Sequence, residues 1–321
     1  MKLVFCGTPQ FAVPSLDRLA AAGFDLRLVV TQPDRPQGRG MELAAPPVKQ
    51  TALKLGLPVE QPDKIKKNEE FQKQLSEIGP EAIIVVGYGR IIPPWMLQLP
   101  PLGNINVHGS LLPKYRGAAP IQWAIARGER ITGVTTMRLD EGLDTGDILL
   151  QRETEILTGD TAVTLAPRLA LLGADLLVET LHGLESKSIF PVVQDHSRAT
   201  LAPILKKEDG LIDFKLTATE IHNRQRGFQP WPGAYTSFRG KNLKIIDARP
   251  ATDAFSLAVG EMQVAGDKLL VGTGNSTLLE LIQVQPEGKK AITAREFISG
   301  YRPQPGERLA EHPPRRHGDT A

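Results

Sequence analysis

The most constraining stretch of this sequence is Ala82-Ile-Ile-Val-Val86, an unbroken run of five apolar residues. A strand sends successive side chains to opposite faces, so a strand made of this run needs apolar cover on both faces. Strands of that kind occur in parallel sheets whose two faces are packed by helices. The run therefore predicts a central strand of an α/β domain.

The N-terminal residues show the order of elements that such a domain requires. The pattern predicts a strand, a turn, a helix and a second strand at Lys2–Cys6, Gly7–Pro9, Phe11–Ala22 and Asp25–Thr31. This order indicates a doubly wound, Rossmann-like parallel sheet. The first turn supplies only the first glycine of Gly-x-Gly-x-x-Gly, which argues against an NAD-dependent enzyme.

The C-terminal third of the chain has a different texture. A length of 321 residues suits two domains. Beyond Gly210 the pattern predicts short strands and two short helices, which suggests a small OB-like β-barrel. The strands are predicted at 233–238, 243–248, 260–264, 268–271 and 277–285, and the helices near 217–226 and 293–299. We therefore expect a catalytic domain at 1–189, a linker at 190–208 and an OB-like domain at 209–321, with a disordered tail after about Glu311.

Composition narrows the class of protein further. The chain is 41% apolar and 23% charged, as globular proteins are, and its net charge of +2 is too small to indicate nucleic-acid binding. The single cysteine, Cys6, allows neither a disulfide framework nor a cysteine-based zinc site and is expected to be a buried thiol. No apolar run approaches the ~18 residues that span a membrane, and no targeting segment precedes Lys2. These features predict a cytoplasmic protein that is not bound to membranes.

Two polar residues end a short strand in the middle of the first domain. Asn106 and His108 alternate with Ile105 and Val107, so their side chains must leave the same face. They lie at a strand's C-terminal end, where open α/β sheets bind their ligands. An amide and an imidazole aimed together suit chemistry on a carbonyl group, because one can donate to an oxyanion and the other can move a proton. The alternative is a hydrogen-bonded pair with a purely structural role.

A second polar segment, Leu139–Asp147, forms a glycine-rich acidic loop after another predicted strand. Its carboxylates are Asp140, Asp144 and Asp147. Three carboxylates could bind a cation, but the loop lacks the oxygen-ligand pattern of an EF-hand. Acidic residues in turns more often accept hydrogen bonds from the local backbone.

Together, Asn106, His108, the run Ser110-Leu-Leu-Pro-Lys-Tyr-Arg-Gly117 and Asp144 resemble the signature of the 10-formyltetrahydrofolate-dependent formyltransferases. The resemblance extends from Val4–Pro9 to Pro286–Lys290. Over that length the chain is most similar to the branch of the family that acts on methionyl-tRNA. It implies a Rossmann-like catalytic domain followed by an OB-like tRNA-binding domain. It also implies 10-formyltetrahydrofolate as co-substrate, initiator methionyl-tRNA as acceptor, no metal and no obligate protein partner.

The resemblance also implies roles for individual residues. Asn106 would stabilise the oxyanion, while His108 and Asp144 would orient the donor and move the proton of the amine; which of the two accepts that proton stays open. Tyr88 would contact the pterin or, equally, fill space under the edge of the sheet. The residues expected to line the folate cleft are Gly87, Tyr88, Ser110, Leu111, Leu112 and Pro113.

Residues 32–47 form a loop rich in glycine and proline, for which neither helix nor strand is predicted. Loops of this length in compact domains are usually functional or disordered, so a mobile surface loop is the alternative. In the resembling family the matching segment enters the acceptor arm of tRNA. On that basis Arg35 and Arg39 would contact phosphates or displaced bases, with Gly38 and Gly40 beside them.

Two other functions compete with this interpretation. A formyltransferase for a small amine, such as glycinamide ribonucleotide or an amino sugar, would share Asn106, His108 and Asp144 but would need neither the arginine loop nor a barrel domain. A nucleic-acid-binding protein with an inactive α/β domain would have no need of those three residues.

Overall fold

The computed structural model describes residues 1–37, 42–253 and 256–310. The chain divides into two compact units. The first comprises Met1–Pro120, Ile131–Glu155 and Thr164–Pro203, and the second comprises Ile121–Arg130, Ile156–Val163 and the residues from Ile204 onward.

The elements are numbered in chain order. The strands are β1 Lys2–Gly7, β2 Asp25–Val30, β3 Arg35–Gln37, β4 Glu42–Ala44, β5 Val59–Glu60, β6 Ala82–Val86, β7 Asn104–His108, β8 Ile131–Arg138, β9 Ile148–Glu155, β10 Ala234–Phe238, β11 Lys241–Ala251, β12 Met262–Ala265, β13 Lys268–Gly272, β14 Leu278–Pro286 and β15 Ile292–Thr293. The α-helices are α1 Val13–Ala21, α2 Pro47–Lys54, α3 Glu69–Ile78, α4 Pro94–Leu97, α5 Pro120–Ala126, α6 Ala162–Glu185, α7 Ala218–Gly227 and α8 Ala294–Tyr301.

The described residues of the first unit form a seven-stranded sheet in the order β5-β2-β1-β6-β7-β8-β9. The strands β5, β2, β1, β6 and β7 run parallel, whereas β8 and β9 are each antiparallel to the strand before them. The run Ala82–Val86 is β6, the fourth of the seven strands, and every residue in it is buried. The predicted central strand and the Rossmann-like fold are confirmed.

Both faces of this sheet carry an apolar core. Ile84 and Val86 pack on one face with leucines of α1 and α6, and Ile83 and Val85 pack on the other with apolar residues of α3 and α4. On β7, Ile105 and Val107 join the first of these cores. Because alternate residues of a strand point to opposite faces, Asn106 and His108 leave the sheet on the other side.

The segment 32–47 is more regular than its composition suggests. The strands β3 and β4 pair antiparallel, with Arg35 opposite Ala44 and Pro36 opposite Leu43. The prediction that this segment holds no strand is therefore wrong. A two-stranded ribbon tolerates Pro36 because proline can occupy a position whose N–H would face away from the partner strand. Gly38, Arg39 and Gly40, between the two strands, lie outside the described residues.

The second unit is a smaller antiparallel β domain, as the sequence predicts. Its described strands follow the order β10-β11-β14-β13-β12, and β15 pairs with β14. Phe238, Leu243, Leu281 and Phe297 belong to its apolar core, to which α7 and α8 also contribute. Each of the five strands expected between 233 and 285 is present within a few residues of its predicted bounds.

Among the described residues, no helix has both the length and the apolar character needed to cross a bilayer.

Candidate active site

The site is built around β7, a strand whose residues are all buried. Asn106 is 9% exposed and His108 6% exposed, and they emerge from the same face about 7 Å apart along the strand. The amide of Asn106 makes no hydrogen bond to any described residue, yet it is not among the fully buried polar groups that lack a partner. Its polar atoms therefore remain open to a ligand.

His108 is held between two acceptors. Its Nε2 lies 2.9 Å from the carbonyl oxygen of Tyr115, and its Nδ1 lies 3.7 Å from Oδ2 of Asp144. A carbonyl can only accept, so Nε2 donates to Tyr115. In the neutral imidazole Nδ1 is then an acceptor facing a second acceptor, at a separation longer than a hydrogen bond. An N–H group of a substrate placed there could donate to either.

Asp144 has an unusual backbone and a fixed carboxylate. Its φ is 50°, in the left-handed region that aspartate tolerates better than most residues. Its Oδ2 accepts from the backbone N–H of Gly117 at 2.7 Å. Gly117 itself has φ 121°, and a Cβ at that position would lie 2.6 Å from the carbonyl oxygen of Ala202. Glycine at 117 thus lets the turn come close enough to hold Asp144.

The run after His108 rests on a buried threonine. Oγ1 of Thr135 donates to the carbonyl of Ser110 at 2.7 Å and accepts from the N–H of Leu112 at 3.1 Å and from Nε2 of Gln151 at 2.9 Å. These bonds use the full hydrogen-bonding capacity of the hydroxyl. Nε2 of Gln151 also donates to the carbonyl of Leu112 at 2.8 Å. The backbone between His108 and Pro113 is therefore fixed in shape before any ligand binds.

The geometry thus brings an imidazole and a carboxylate together beside an unengaged amide, on one face of a sheet. Comparison with family models shows which family the chain belongs to. Residues 1–181 match the model described as "Formyl transferase", and residues 204–302 match "Formyl transferase, C-terminal domain".

The chain belongs to the formyl transferase family.

Curated relatives match nearly its full length. A protein of Koribacter versatilis named "Methionyl-tRNA formyltransferase" is 66% identical over 96% of this chain and 98% of its own length. One of the same name from Acidobacterium capsulatum is 58% identical over 96% and 99%. Among solved structures, WlaRD, "a sugar 3N-formyl transferase" determined in the presence of dTDP and 5-N-formyl-THF, has a TM-score of 0.65 at 21% identity, covering 90% of this chain and 99% of that one. The similarity to WlaRD shows a shared fold only.

Other predicted site residues of this formyl transferase take different positions. The side chain of Ser110 is fully buried, and its Oγ donates to the carbonyl of Lys114 at 2.6 Å. Leu112 is buried, whereas Leu111 and Pro113 are partly exposed. These residues offer a ligand shape and backbone rather than a free polar side chain.

Tyr88 lies in the core of the first unit. Its ring packs among Cys6, Met96 and Phe71, 1% exposed, and its hydroxyl is buried without a partner among the described residues. Burial, together with the Cys6 thiol, raises the pKa of Tyr88 above its usual range. Gly87, before it, has φ 55°, and a Cβ there would lie 2.9 Å from Cγ of Pro9.

The base of the segment 32–47, which carries Arg35 and Arg39, is held by hydrogen bonds within the first unit. The Asp34 carboxylate accepts from Nζ of Lys49 at 2.7 Å and from Nε2 of Gln61 at 2.8 Å, and these bonds lower the pKa of Asp34. The exposed Arg35 donates from Nη2 to Oε1 of Gln32 at 2.7 Å. The predicted partners Gly38, Arg39 and Gly40 lie outside the described residues.

Asp140 behaves as a turn residue. Its Oδ1 accepts from the N–H of Gly142 at 3.0 Å and from Oγ1 of Thr145 at 2.7 Å. In the described ranges, no group of three or more His, Cys, Asp and Glu side chains is arranged to hold a metal ion.

Several residues that shape the site were missed by sequence reasoning. Thr135, Gln151 and Gln194 bind the backbone of the predicted site from distant positions in the chain, and no local pattern marks them. Tyr115 and Gly117 belong to the run that carries the family signature, which was the available signal for them.

Proposed function

We propose that this protein transfers the formyl group of 10-formyltetrahydrofolate to the α-amino group of methionine esterified to initiator tRNA, in the cytoplasm. The single observation that carries the assignment is its 66% identity, over 96% of the chain, to a relative named for that reaction. The folate co-substrate is also supported by the formyl-THF present with the structural neighbour of the same fold.

The chemistry needs no covalent intermediate on the protein. The lone pair of the amine attacks the formyl carbon, a C–N bond forms, and the formyl oxygen becomes anionic. Collapse breaks the bond between the carbon and N10 of the folate, and the proton lost by the amine finally replaces the formyl group on N10. An amine next to an ester is less basic than a free amino acid's, so a useful fraction is neutral near pH 7.

Three side chains serve these steps. The open amide of Asn106 donates to the oxyanion, and its location on a rigid strand means that no reorganisation is needed as charge develops. Nδ1 of His108 and Oδ2 of Asp144, 3.7 Å apart, are two acceptors that share the proton leaving the amine. The protonated Nε2 of His108 stays on the Tyr115 carbonyl, which fixes the plane of the ring.

The folate lies against the backbone of Ser110, Leu111, Leu112 and Pro113, with Gly87 and Tyr88 at the pterin end. The buried Thr135 bonds keep that backbone in place. No metal takes part in this proposal.

The tRNA binds through the loop and the C-terminal domain. Arg35 and Arg39, with Gly38 and Gly40, contact the acceptor arm, and the Asp34–Lys49 ion pair holds the base of that loop. Residues 209–321 add a second surface for tRNA, beyond a linker at 190–208.

Acceptor specificity tests the function. The purified chain is incubated with 10-formyltetrahydrofolate and one acceptor at a time: initiator methionyl-tRNA, free methionine, glycinamide ribonucleotide or a nucleotide-linked amino sugar. We expect formyl-methionine on the tRNA and no comparable product elsewhere. Faster turnover of either small amine than of methionyl-tRNA would overturn the assignment.

A further inference from the structure

Two buried side chains that have no role in the proposed reaction, Arg116 and Gln194, form a chain of hydrogen bonds to the loop that carries Asp144. Nε and Nη2 of Arg116 donate to Oε1 of Gln194 at 3.1 and 2.6 Å. Nε2 of Gln194 donates to the carbonyl oxygens of Asp144 at 2.9 Å and Gly146 at 2.6 Å. Arg116 is 7% exposed and Gln194 3% exposed.

The chemistry of the groups fixes the direction of these hydrogen bonds. A guanidinium can only donate and a backbone carbonyl can only accept. Gln194 must therefore turn its oxygen to Arg116 and its amide nitrogen to the loop. The amide cannot flip without losing its bonds on both sides.

The loop has a reason to need such support. Asp144 holds a left-handed backbone, a conformation that non-glycine residues adopt only where the surrounding structure supports it. Gln194 holds the carbonyl of Asp144, and the N–H of Gly117, the residue after Arg116, holds its carboxylate at 2.7 Å. Gln194 and Gly117 thus fix Asp144 at its backbone and at its carboxylate.

The charge of Arg116 is a second, independent observation. No carboxylate in the described ranges forms an ion pair with this buried guanidinium; besides Gln194, its Nη2 contacts Nδ1 of His196 at 3.0 Å. Burying a cation among neutral groups costs free energy, so its presence needs a compensating use.

We propose that Arg116 and Gln194 are positioning residues that hold the backbone of Asp144, so that its carboxylate stays directed at His108. This inference rests on the role given to Asp144 in the proposed function. Neither residue touches the substrate; both act through the loop.

Two substitutions of Gln194 separate this role from simple packing. Gln194→Met removes all the hydrogen bonds at similar volume. Gln194→Glu keeps an acceptor for Arg116 but places a second acceptor against the two loop carbonyls. We expect both variants to lower kcat for methionyl-tRNA formylation about 10–100-fold, the scale of a small misplacement of a catalytic group, with KM for folate and tRNA within about twofold. Gln194→Glu should lose less Tm than Gln194→Met, because it still pairs with Arg116.

Gln225→Met is the matched control. Gln225 is as buried as Gln194, so its side chain belongs to no surface that tRNA can contact, and it donates to the carbonyl of Ile246 at 2.6 Å within the second unit. We expect a lower Tm and an unchanged kcat for this variant.

Measurements of kcat and Tm on these variants test the proposal. Loss of kcat in both Gln194 variants, with Gln225→Met fully active, supports the proposal even where the Tm values of Gln194→Met and Gln225→Met are equal. The positioning role alone would be overturned by a combination of three results. The native enzyme formylates methionyl-tRNA, the Asp144→Asn variant is inactive, and both Gln194 variants keep kcat within twofold of native. A native enzyme without that activity would overturn the proposed function and this inference together.

Discussion

Asn104 and Asn106 stand two residues apart on β7 and point to the same face, yet their surroundings differ. Nδ2 of Asn104 donates to the carbonyls of Met96 and Leu97 at 2.9 and 3.1 Å, at the end of α4. Asn106 has no such partner among the described residues. The first amide is used by the fold, whereas the second is available for the oxyanion-binding role that we propose for it.

Replacing each asparagine tests this division. Asn106→Ala should lower kcat about 10²–10³-fold, the usual loss for one oxyanion donor, with little change in Tm. Asn104→Ala should lower Tm and have a much smaller effect on kcat, because its bonds hold a helix end. Steady-state kinetics and thermal melts of both variants provide the comparison. Equal losses of kcat would contradict the assignment of Asn106.

Tyr88 offers a second test at this scale. Its buried hydroxyl lacks a partner among the described residues, and an unsatisfied buried polar group costs about 1–3 kcal/mol. Tyr88→Phe should therefore raise the free energy of unfolding by about 1 kcal/mol, measured by urea denaturation. If Tyr88 only fills space, KM for the folate stays unchanged; a several-fold rise in that KM would show that the hydroxyl meets the ligand.

Among the elements, the turn at 115–117 joins His108 to Asp144. Gly117→Ala would place a Cβ 2.6 Å from the Ala202 carbonyl at φ 121°. We expect a loss of at least about 2 kcal/mol of stability together with a fall in kcat, because the Gly117 N–H would leave the Asp144 carboxylate. Gly288→Ala is the control, since Gly288 has φ 70° but nothing within 4 Å of its Cβ position. Equal Tm losses in the two variants would argue against close approach at Gly117.

The caps of two helices in the second unit should make its free energy of unfolding depend on pH in the acid range. Thr217 with Glu220, and Thr293 with Glu296, form reciprocal caps on α7 and α8, and hydrogen bonds from each threonine lower the pKa of the paired glutamate below 4.5. A carboxylate with a depressed folded-state pKa stabilises the fold above its unfolded pKa, and that stability is lost as pH falls through the folded value. The free energy of unfolding should thus decline below about pH 4.5. Glu220→Gln together with Glu296→Gln should flatten that decline; an unchanged slope would assign it to other groups.

The elements themselves could be predicted because their signals are local. Continuous or alternating apolar residues predict the strands β1, β2, β6 and β7. The family signature indicates Asn106, His108 and Asp144 as site residues. Gln194 could not be predicted, because its partners Asp144 and Arg116 lie 50 and 78 residues away and it falls in a stretch that lacks periodicity. The pairing of β3 with β4 could not be predicted, because the many glycines and prolines of residues 32–47 indicate a loop and no local signal marks the two short strands.

For the whole molecule, the acceptor is a long polyanion whereas the net charge is only +2. Contacts to tRNA phosphates must then come from particular arginines and lysines. The KM for methionyl-tRNA should rise steeply with salt, while the KM for the folate should not. Arg35→Ala should reduce the slope of log KM for tRNA against log salt by up to about one unit. A salt-independent KM for tRNA would contradict binding through phosphates.

The most direct test of the account is a single-turnover assay of formyl transfer to initiator methionyl-tRNA, with native enzyme set beside His108→Ala and Asp144→Asn variants of native Tm. We predict formyl-methionyl-tRNA from the native enzyme and a rate about 10²–10⁴-fold lower in each variant, the usual share of acid–base catalysis. No product from the native enzyme, or rates within a few-fold of native in both variants, would contradict it.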